Sequence, residues 1–575
     1  MKKDSYLNIK MKLKDLYCVC MGLCSLFLLT LAFSYGITKG FHHWVTEGIE
    51  YQNVNIATAI TKYAYGMDLG GMAHREVYDA LRAGGVAYYS EFLDPLGVTF
   101  PDNLHNPTLI NDAFRSAASI EALRSPAVVF KDFKPVEPTD IGMAQYYELA
   151  FNLFGLKVQS FYYLYSLILL ISVVLFFIRH YGNPLYCSVL AAVVMLHLFM
   201  FVYCAEFLPP EHRWGVGTVY SSRFISILGI LPALHLVIDI LKGSRFQWIN
   251  AVLFGFQGLL LLWLVTVRGT VMWENLWVIA TVAILAGMVV VARVWHGKGG
   301  DERTLLHLRR LISWPVGIFV LITIGFGAYK STSTNAFYRI SDESLSYHMV
   351  WHSIYAGLSQ HPGWHDKYGQ YHARDGKLFV GDGAPIFAAE HLLETQYGIQ
   401  RDYIISDLWG HRYKVTERVI KEAYFQFIKK DPRFFAELVF LHRPSLIYNS
   451  IRDNFTRIFS FAPFFIYVGF AVTIASLMFA LYRFWSDIRM DYLFLLGGVF
   501  LGTLGSIGPV MLTFAVRHAI NDQAFMLCLM FLLVFPLGVI LIYEGIRCRN
   551  IGAIFEILKG EREFGEYRSI VGRTQ

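Results

Sequence analysis

The sequence has few charged residues. Asp, Glu, Lys and Arg together make up 16% of its 575 residues, whereas hydrophobic residues make up 55%. In a soluble globular protein about a quarter of the residues are charged. Together with the mean hydropathy of +0.42, this composition excludes an ordinary soluble enzyme and is typical of a chain that crosses a membrane several times. The net charge of +6 is therefore informative mainly through where the basic residues lie.

Several motifs of known chemistry are also absent from the sequence. There is no Gly-rich phosphate loop, no Ser/His/Asp signature and no basic patch of the kind that binds nucleic acid. The seven cysteines form no CxxC pair, and all but Cys548 lie in or beside apolar runs, so we predict neither a disulfide framework nor a zinc site. His348 and His352 stand one helical turn apart, but His-Met-Val-Trp-His is not the HExxH of a zincin. No cofactor is assigned, and a divalent metal at these histidines stays an open alternative.

Long apolar runs are abundant and define the fold class. Ten runs have the length of a membrane-spanning helix. They lie at 17–37, 159–178, 186–204, 224–241, 247–266, 273–294, 311–328, 458–482, 492–514 and 524–544. The sequence thus predicts an all-α polytopic membrane protein with about ten transmembrane helices. The first run lacks a cleavage site of small residues after it and is interpreted as an uncleaved span.

Basic residues cluster on one side of this ten-span arrangement. The clusters are the N-terminal lysines, Arg179, Lys242 with Arg245, residues 293–310, Arg483 with Arg489, and Arg547, Arg549 and Lys559. By the positive-inside rule that side is the cytoplasm. We therefore expect a multi-pass protein of the bacterial inner membrane with both termini in the cytoplasm.

The predicted topology divides the chain into six parts. They are the N-terminus with the first span (1–37), an external loop (38–158), spans two to seven (159–328), an external domain (329–457), spans eight to ten (458–545) and a cytoplasmic tail (546–575). Both external regions should be mainly helical. Helical patterns lie at 75–81 and 112–123 in the first, and at about 385–396, 412–430 and 431–448 in the second.

The stretch from Asp140 to Ile178 combines three features. Asp140 is followed by a helix with one broad apolar face, which includes Met143, Tyr146 and Tyr147, and then by the second span. Such a helix lies on a membrane or packs on other spans. Thr-Asp before an apolar periodic run is also an ordinary helix start, so Asp140 could be an N-cap, a role compatible with a chemical one.

This stretch resembles the first external loop of GT-C-type polytopic glycosyltransferases. The resemblance rests on an acidic residue before Gly, an amphipathic helix ending in Leu-Phe-Gly (153–155), and a Tyr/Leu-rich second span. It implies a polyprenyl-phosphate-linked sugar as donor, a glycan or lipid as acceptor, and Asp140 as the functional acid. The usual acid in this family lies soon after the first span, so Glu47 and Asp68 are alternatives.

The short outward loops are unexpectedly basic. Near span ends they contain Arg213, Arg223, Arg268, Arg517 and His518. Guanidinium groups bind phosphate through paired charge-assisted hydrogen bonds, so these loops are expected to meet around one entrance and hold a lipid phosphate. Alternatively, each arginine reaches lipid headgroups or pairs with a nearby acid.

In the second external region, Trp351, His352 and Tyr355 recur at helical spacing. They either pack the domain or stack on a sugar ring.

Within the predicted spans Asp239 is the main acidic residue, beside Lys242, and the scarcity of such groups counts against a coupled ion transporter. The predicted function is a glycosyltransferase acting at the outer face. The alternatives are a non-catalytic flippase-like or scaffold component of a surface polysaccharide system, and a metal-dependent hydrolase based only on the histidines.

The topology can be tested by cysteine accessibility on a chain whose native cysteines are replaced. A membrane-impermeant thiol reagent should label Asn103→Cys and Asp375→Cys from outside and should label Gly300→Cys only after the membrane is opened. The reverse pattern would overturn the orientation.

Overall fold

The computed structural model describes most of the apolar helices and parts of the polar regions. The described residues are 2–35, 50–65, 72–74, 133–135, 141–156, 159–202, 222–242, 246–268, 271–295, 302–333, 350–368, 373–374, 377–378, 383–397, 413–449, 452, 463–512, 520–548 and 552–559.

The described part of the chain is mainly helical. Its longer helices are α1 (Lys2–Tyr35), α2 (Glu50–Tyr65), α3 (Ile141–Phe154), α4 (Gln159–His180), α5 (Pro184–Val202), α6 (Ile230–Lys242), α7 (Trp248–Val267), α8 (Met272–Trp295), α9 (Glu302–Ser333), α10 (Val350–Leu358), α11 (Trp364–Tyr368), α12 (Gly383–Tyr397), α13 (Tyr413–Lys430), α14 (Pro432–Glu437), α15 (Phe464–Val510), α16 (Ile520–Cys548) and α17 (Gly552–Lys559). A helical turn (Ser222–Ile225) and a 3₁₀ turn (Ser226–Gly229) lead into α6, and a π-helical turn (Leu438–His442) follows α14.

Six helices among the described residues are long and apolar enough to cross a membrane. They are Met11–Tyr35, Ser160–His180, Pro184–Val202, Trp248–Val267, Phe464–Gly508 and Gln523–Arg547, with shorter apolar helices at Met272–Met288 and Trp314–Tyr329. This confirms the prediction of a chain with several apolar membrane-type helices. Each of the ten predicted apolar runs overlaps a described helix.

Helix α15 contains two of the predicted runs. At 47 residues it would be about 70 Å long if straight, more than twice the apolar thickness of a bilayer. Its backbone is non-helical at Phe484, where φ is −119° and ψ is 15°. The half before Phe484 runs along α5, since Phe470 contacts Phe199 and the Ser476 carbonyl accepts from Tyr17, which also bonds Ser188 near the start of α5. The half after it returns, since Asp491 lies near Lys242, whereas Ser506 accepts from Gln523 of α16, whose Phe525 contacts His197. Helix α15 therefore traverses the bundle twice.

Helix α5 lies at the centre of the bundle. Every residue from Pro184 to Val202 is buried, as expected for a helix that is apolar on all sides and surrounded by others. Helices α1, α4, α15 and α16 pack around it. Tyr17 of α1 bonds the Ser188 hydroxyl and the Ser476 carbonyl, both at 2.7 Å, so polar groups inside the bundle are bonded to one another.

The bundle has two ends, which are named here by one residue each. The Lys242 end carries Arg179, Asp239, Lys242 and Asp491, where Lys242 Nζ lies 3.7 Å from an Asp491 oxygen. The Arg268 end lies at the other end of α7. That helix has 20 residues, so about 30 Å separates the two ends.

A second apolar cluster lies within residues 350–449. Helices α10, α12 and α13 pack together around Trp364, Phe427 and Phe434. The helices predicted at about 385–396, 412–430 and 431–448 correspond to α12, to α13 and to α14 with the helical residues that follow it. Two short antiparallel strand pairs complete the described structure, Met72–His74 with Phe133–Pro135 and Ala373–Arg374 with Lys377–Leu378. The predicted helices at 75–81 and 112–123 lie outside the described residues.

Asp431 joins two helices of this cluster and provides a test of its packing. Its carboxylate caps α14 by accepting from the Phe434 amide at 3.0 Å, and it accepts from the Tyr368 hydroxyl at 2.8 Å and from Lys367 at 3.1 Å. These bonds, first of all the one from the Phe434 amide, lower the pKa of Asp431 below its usual value of 3.8.

Asp431→Ala should remove the cap, typically about 0.5–2 kcal/mol, and speed amide exchange across 432–442, measured by hydrogen exchange on the full chain. Because the pKa is lowered in the folded state, the ionised carboxylate contributes its full stabilisation above about pH 4. This stabilisation is lost as the pH falls through the lowered pKa. The difference from wild type should therefore shrink in acid. Asp431→Asn, which keeps a capping oxygen, is the control and should exchange more slowly than the Ala variant.

Candidate functional site

The candidate site lies at the Arg268 end, where α3 meets the end of α7. Gly142 in the first turn of α3 packs directly on Thr266 and Val267. A Cβ there would stand 2.6 Å from the Val267 amide nitrogen, a distance that real Cβ atoms do not show. Arg268 follows at once, and its amide closes α7 by donating to the Leu264 carbonyl at 2.9 Å. The residue type at position 142 therefore sets how closely α3 approaches Arg268.

Helix α3 is held there by its predicted apolar face. Met143, Tyr146 and Tyr147 are buried, so the helix packs on other spans, one of the two arrangements that the sequence predicted. The Tyr146 hydroxyl donates to the Phe161 carbonyl of α4 at 3.0 Å, and its ring stacks on Trp263 of α7 at 6.1 Å. Gly155, with a φ of +85°, ends the helix in a conformation that favours glycine.

Helix α2 covers α3 from the other side. Lys62 pairs with Glu148 at 3.0 Å, and the Tyr63 ring contacts Phe151 at 5.8 Å. Helix α2 follows Glu47 in the chain, and Asp68 lies between α2 and the first strand. Glu47 and Asp68 themselves lie outside the described residues, so both stay alternatives to Asp140.

Polar groups gather around the end of α7. Arg268 is half-buried, and its Nε is fully enclosed. Glu274 at the start of α8 is buried, with its carboxylate against Gly229. The backbone of Arg223 lies in the helical turn that packs beside α7. Two of the predicted arginines thus belong to segments at the same end of the bundle.

The other predicted site residues fall into two groups, those outside the described residues and those on α10. Asp140, Arg213, Arg517 and His518 lie outside the described residues. Arg517 lies in the chain between α15 and α16. Phe525, near the start of α16, contacts the His197 ring at 5.1 Å, and that ring bonds Tyr165 near the start of α4. The helices that flank Arg517 therefore meet at the Arg268 end. The prediction that the outward arginines share one entrance stays a prediction for Arg213 and Arg517.

Trp351, His352 and Tyr355 lie on α10, in the cluster of residues 350–449. His352 and Tyr355 are buried, and Tyr355 contacts Trp364 at 6.3 Å. Trp351 is half-buried against Phe425 at 5.4 Å. The packing alternative accounts for His352 and Tyr355, whereas sugar stacking stays a prediction best suited to Trp351.

The start of α10 is fixed by a carboxylate that the sequence did not single out. Glu417 of α13 accepts the amides of Trp351 and His352, each at 2.9 Å. Burial raises the pKa of Glu417 above its usual value, and these amide bonds oppose the rise. A carboxylate at a helix start is an ordinary stabilising arrangement, but a partner on another helix gives no signal in local sequence.

A polar cluster at the Lys242 end was not predicted from the sequence, which singled out Asp239 only as the main acidic residue of the spans. Asp239 is buried, and its partner is Arg179 of α4, at 2.9 Å. His180 and His235 complete the cluster with Asp239. The i, i+4 spacing of His235 and Asp239 was the available signal in the sequence.

Comparisons with known proteins give no relative for this geometry. No family model, curated protein or solved structure matches the chain. The candidate site is therefore described from its own residues alone.

The contact at Gly142 can be tested with a matched pair of substitutions. Gly142→Ala should lower the melting temperature of the purified protein, because the added methyl meets backbone atoms of α7 that cannot turn aside. Overpacking typically costs about 1–3 kcal/mol. Gly505→Ala is the control, since a Cβ there meets nothing within 4 Å. Equal melting temperatures for both variants would show that α3 does not approach α7 this closely.

Proposed function

We propose that the protein is an integral-membrane glycosyltransferase of the GT-C type. It moves a sugar from a polyprenyl-phosphate donor to a glycan or lipid acceptor at the outer face of a bacterial inner membrane. Asp140 is the catalytic carboxylate of the proposal and acts as a general base, and Arg268 with Arg213, Arg223, Arg517 and His518 forms the phosphate-binding group. Trp351, His352 and Tyr355 belong to the external domain, and Trp351 is the proposed sugar-binding residue among them.

In the proposed reaction, an acceptor hydroxyl oxygen forms a bond to the anomeric carbon of the donor sugar. The bond from that carbon to the phosphate oxygen breaks, and the polyprenyl phosphate leaves with the electron pair. Asp140 takes the proton of the hydroxyl. The arginines bind the phosphate oxygens, where negative charge develops as the bond breaks. The reaction is balanced without an added oxidant or reductant.

The supporting observation is the contact between Gly142 and the end of α7. Asp140 precedes Gly142 by two residues, and Arg268 directly follows Val267, which Gly142 contacts. Two residues of extended chain span at most about 7 Å. The acid and an arginine, chosen separately from the sequence, are thus attached to two backbone segments in direct contact.

The proposal includes the full ten-span topology. The double traverse of α15 and the helices that cover the remaining predicted runs support this count. In the proposed orientation the Lys242 end is cytoplasmic and holds both termini, the Arg268 end is external, and residues 38–158 and 329–457 lie outside. The concentration of basic residues at one end supports this orientation.

The product should first be identified by mass spectrometry of lipid-linked and surface glycans from cells with and without the gene. Sugar transfer by the purified protein is then measured for Asp140→Asn, Arg268→Ala and Arg268→Lys. Asn is as good a cap as Asp, so Asp140→Asn should keep the melting temperature while the rate falls about 10²–10⁴-fold.

Arg268→Ala should weaken binding of the donor by about 1.5–3 kcal/mol, the scale of a charged hydrogen bond. Arg268→Lys should recover only part of this binding free energy, because an ammonium group lacks the planar, two-pronged geometry of a guanidinium. Arg433→Ala is the matched control, since Arg433 is an exposed arginine of the other cluster, and it should transfer at the wild-type rate.

Wild-type transfer by Asp140→Asn would make Asp140 a cap only and move the search to Glu47 and Asp68. Glycans that change without the gene, together with no sugar transfer by the purified wild type, would contradict the enzyme and favour the flippase-like or scaffold alternative.

A further inference from the structure

The polar cluster at the Lys242 end consists of two histidines and a carboxylate inside the apolar bundle. His180 ends α4, and His235 and Asp239 lie one turn apart on α6. Their exposed fractions are 3%, 0% and 0%. Each offers a ligand atom, and these atoms all lie within 4.8 Å of one another. The cluster plays no part in the proposed transfer reaction, which belongs to the other end of the bundle.

Three of the four imidazole nitrogens of this cluster lack hydrogen-bond partners. His180 Nε2 and both ring nitrogens of His235 are enclosed and bonded to nothing. A buried polar group without a partner costs about 1–3 kcal/mol. Elsewhere in the bundle the His197 ring bonds the Tyr165 hydroxyl through Nδ1 at 3.0 Å, and its enclosed Nε2 has no partner. His235 therefore differs from His197 in having neither ring nitrogen bonded. The free nitrogens thus point to a ligand that accepts imidazole lone pairs.

The rings are packed firmly in place. Phe176 contacts His180 at 4.5 Å and His235 at 5.7 Å between ring centres, and the two imidazoles stand 5.1 Å apart. Tyr186 covers the other side of His180 at 4.9 Å. Aromatic neighbours on both sides restrict the rotation of His180. Such fixed orientation favours a ligand that needs defined directions.

The distances suit a metal ion better than a direct hydrogen bond. His235 Nε2 stands 3.7 Å from Asp239 Oδ2, beyond the usual range of a hydrogen bond. Two ligands of a tetrahedral zinc ion, each about 2.0–2.1 Å from the metal, lie about 3.3 Å apart. The His180 ligand atom lies within 4.8 Å of the others, so it needs to move by at most about 1.5 Å to reach that spacing.

Arg179 leaves Asp239 able to bind a metal. Its Nε donates to both carboxylate oxygens at 2.9 Å, and each oxygen of a carboxylate has two lone pairs. The oxygen that faces His235 therefore keeps one for a metal. Hydrogen-bonded carboxylates are common in metal sites, where the outer partner fixes the orientation of the ligand.

We propose that His180, His235 and Asp239 bind a divalent transition-metal ion, Zn²⁺ in the first instance, that ties α4 to α6 at the Lys242 end. Imidazole and carboxylate ligands suit Zn²⁺ and related first-row ions. The role is structural, since the cluster is closed to solvent and distant from Arg268.

The test uses the full chain purified in detergent, stripped with a chelator and then titrated with Zn²⁺ alone. Wild type should retain about one zinc per chain by elemental mass spectrometry, and Co²⁺ should give the visible absorption of a tetrahedral site. His235→Asn and His180→Asn should each weaken zinc binding by more than the 10–100-fold typical of a lost outer partner. His197→Asn, a buried histidine outside the cluster, is the matched control and should bind like wild type.

X-ray absorption of the zinc-loaded wild type provides a second measurement that needs no variant. It should show imidazole nitrogen and carboxylate oxygen in the first shell at about 2.0–2.2 Å. Failure of the wild type to retain zinc or to give the cobalt spectrum would overturn the proposal, and the cluster would then be an ion pair with two adjacent histidines. Equal loss of zinc from His197→Asn and His235→Asn would overturn it as well. Sugar transfer is a separate readout, so either proposal can fail without the other.

Discussion

The ion pair of Arg179 and Asp239 is the interaction on which the arrangement of the bundle depends. An ionised carboxylate without a partner is prohibitively costly in an apolar interior, and Asp239 is fully buried. The bond from Arg179 therefore permits α6 to carry an acid, and it fixes the position of α4 along α6. Helix α4 has 22 residues, and its opposite end presents the Phe161 carbonyl that receives Tyr146 of α3. One ion pair at the Lys242 end thus helps to place α3 beside Arg268 at the other end.

Close packing then determines how the helices approach one another. In a membrane, apolar side chains gain little by contacting each other rather than lipid, so van der Waals fit and small residues carry more of the association. Gly469 packs on Met195, and Gly502 packs on Trp277 and Met526. Trp277 also donates to the Gly498 carbonyl at 2.7 Å, a bond that requires close approach of α8 and α15. The contact of Gly142 with α7 follows the same rule and brings two candidate site segments together.

The sequence predicted the membrane helices well because their signal is local. A run of apolar residues has to form a helix in lipid whatever its neighbours are, and the periodic apolar face of α3 identified Tyr146 and Tyr147 as packing residues. It could not predict which partner Asp239 takes. Lys242 is its neighbour in sequence, but Arg179 on another helix is the closer cation, and only the packing of α4 on α6 decides between them. Glu417 was missed for the same reason, since it caps a helix from a distant part of the chain.

The sequence indicates candidate residues for the site but does not indicate how they assemble. Asp140 and Arg268 were selected by residue type and position near span ends, which are properties of sequence. That Gly142 approaches Val267 depends on contacts of α3 with both α4 and α7, and no local pattern encodes these contacts. His352 and Tyr355 show that residue type and spacing can also fit two different roles. Aromatic and imidazole groups at helical spacing fit a sugar-binding surface and a packed core equally well, and burial distinguishes them.

The distribution of polarity along the bundle bears on the class of function. Between the two ends, several of the described polar side chains are amides and hydroxyls that bond within the bundle. Gln257 donates to the Ser172 carbonyl at 3.0 Å, and Thr473 donates to the Gly469 carbonyl at 2.8 Å. A coupled ion pathway needs charged or exchangeable groups at this depth, whereas a transferase at the membrane surface needs its charges only where the phosphate and the acceptor meet. In the part of the chain that the structure describes, charge lies at the ends of the bundle, and the proposed transferase would use the charges at the end that holds Arg268 and Glu274.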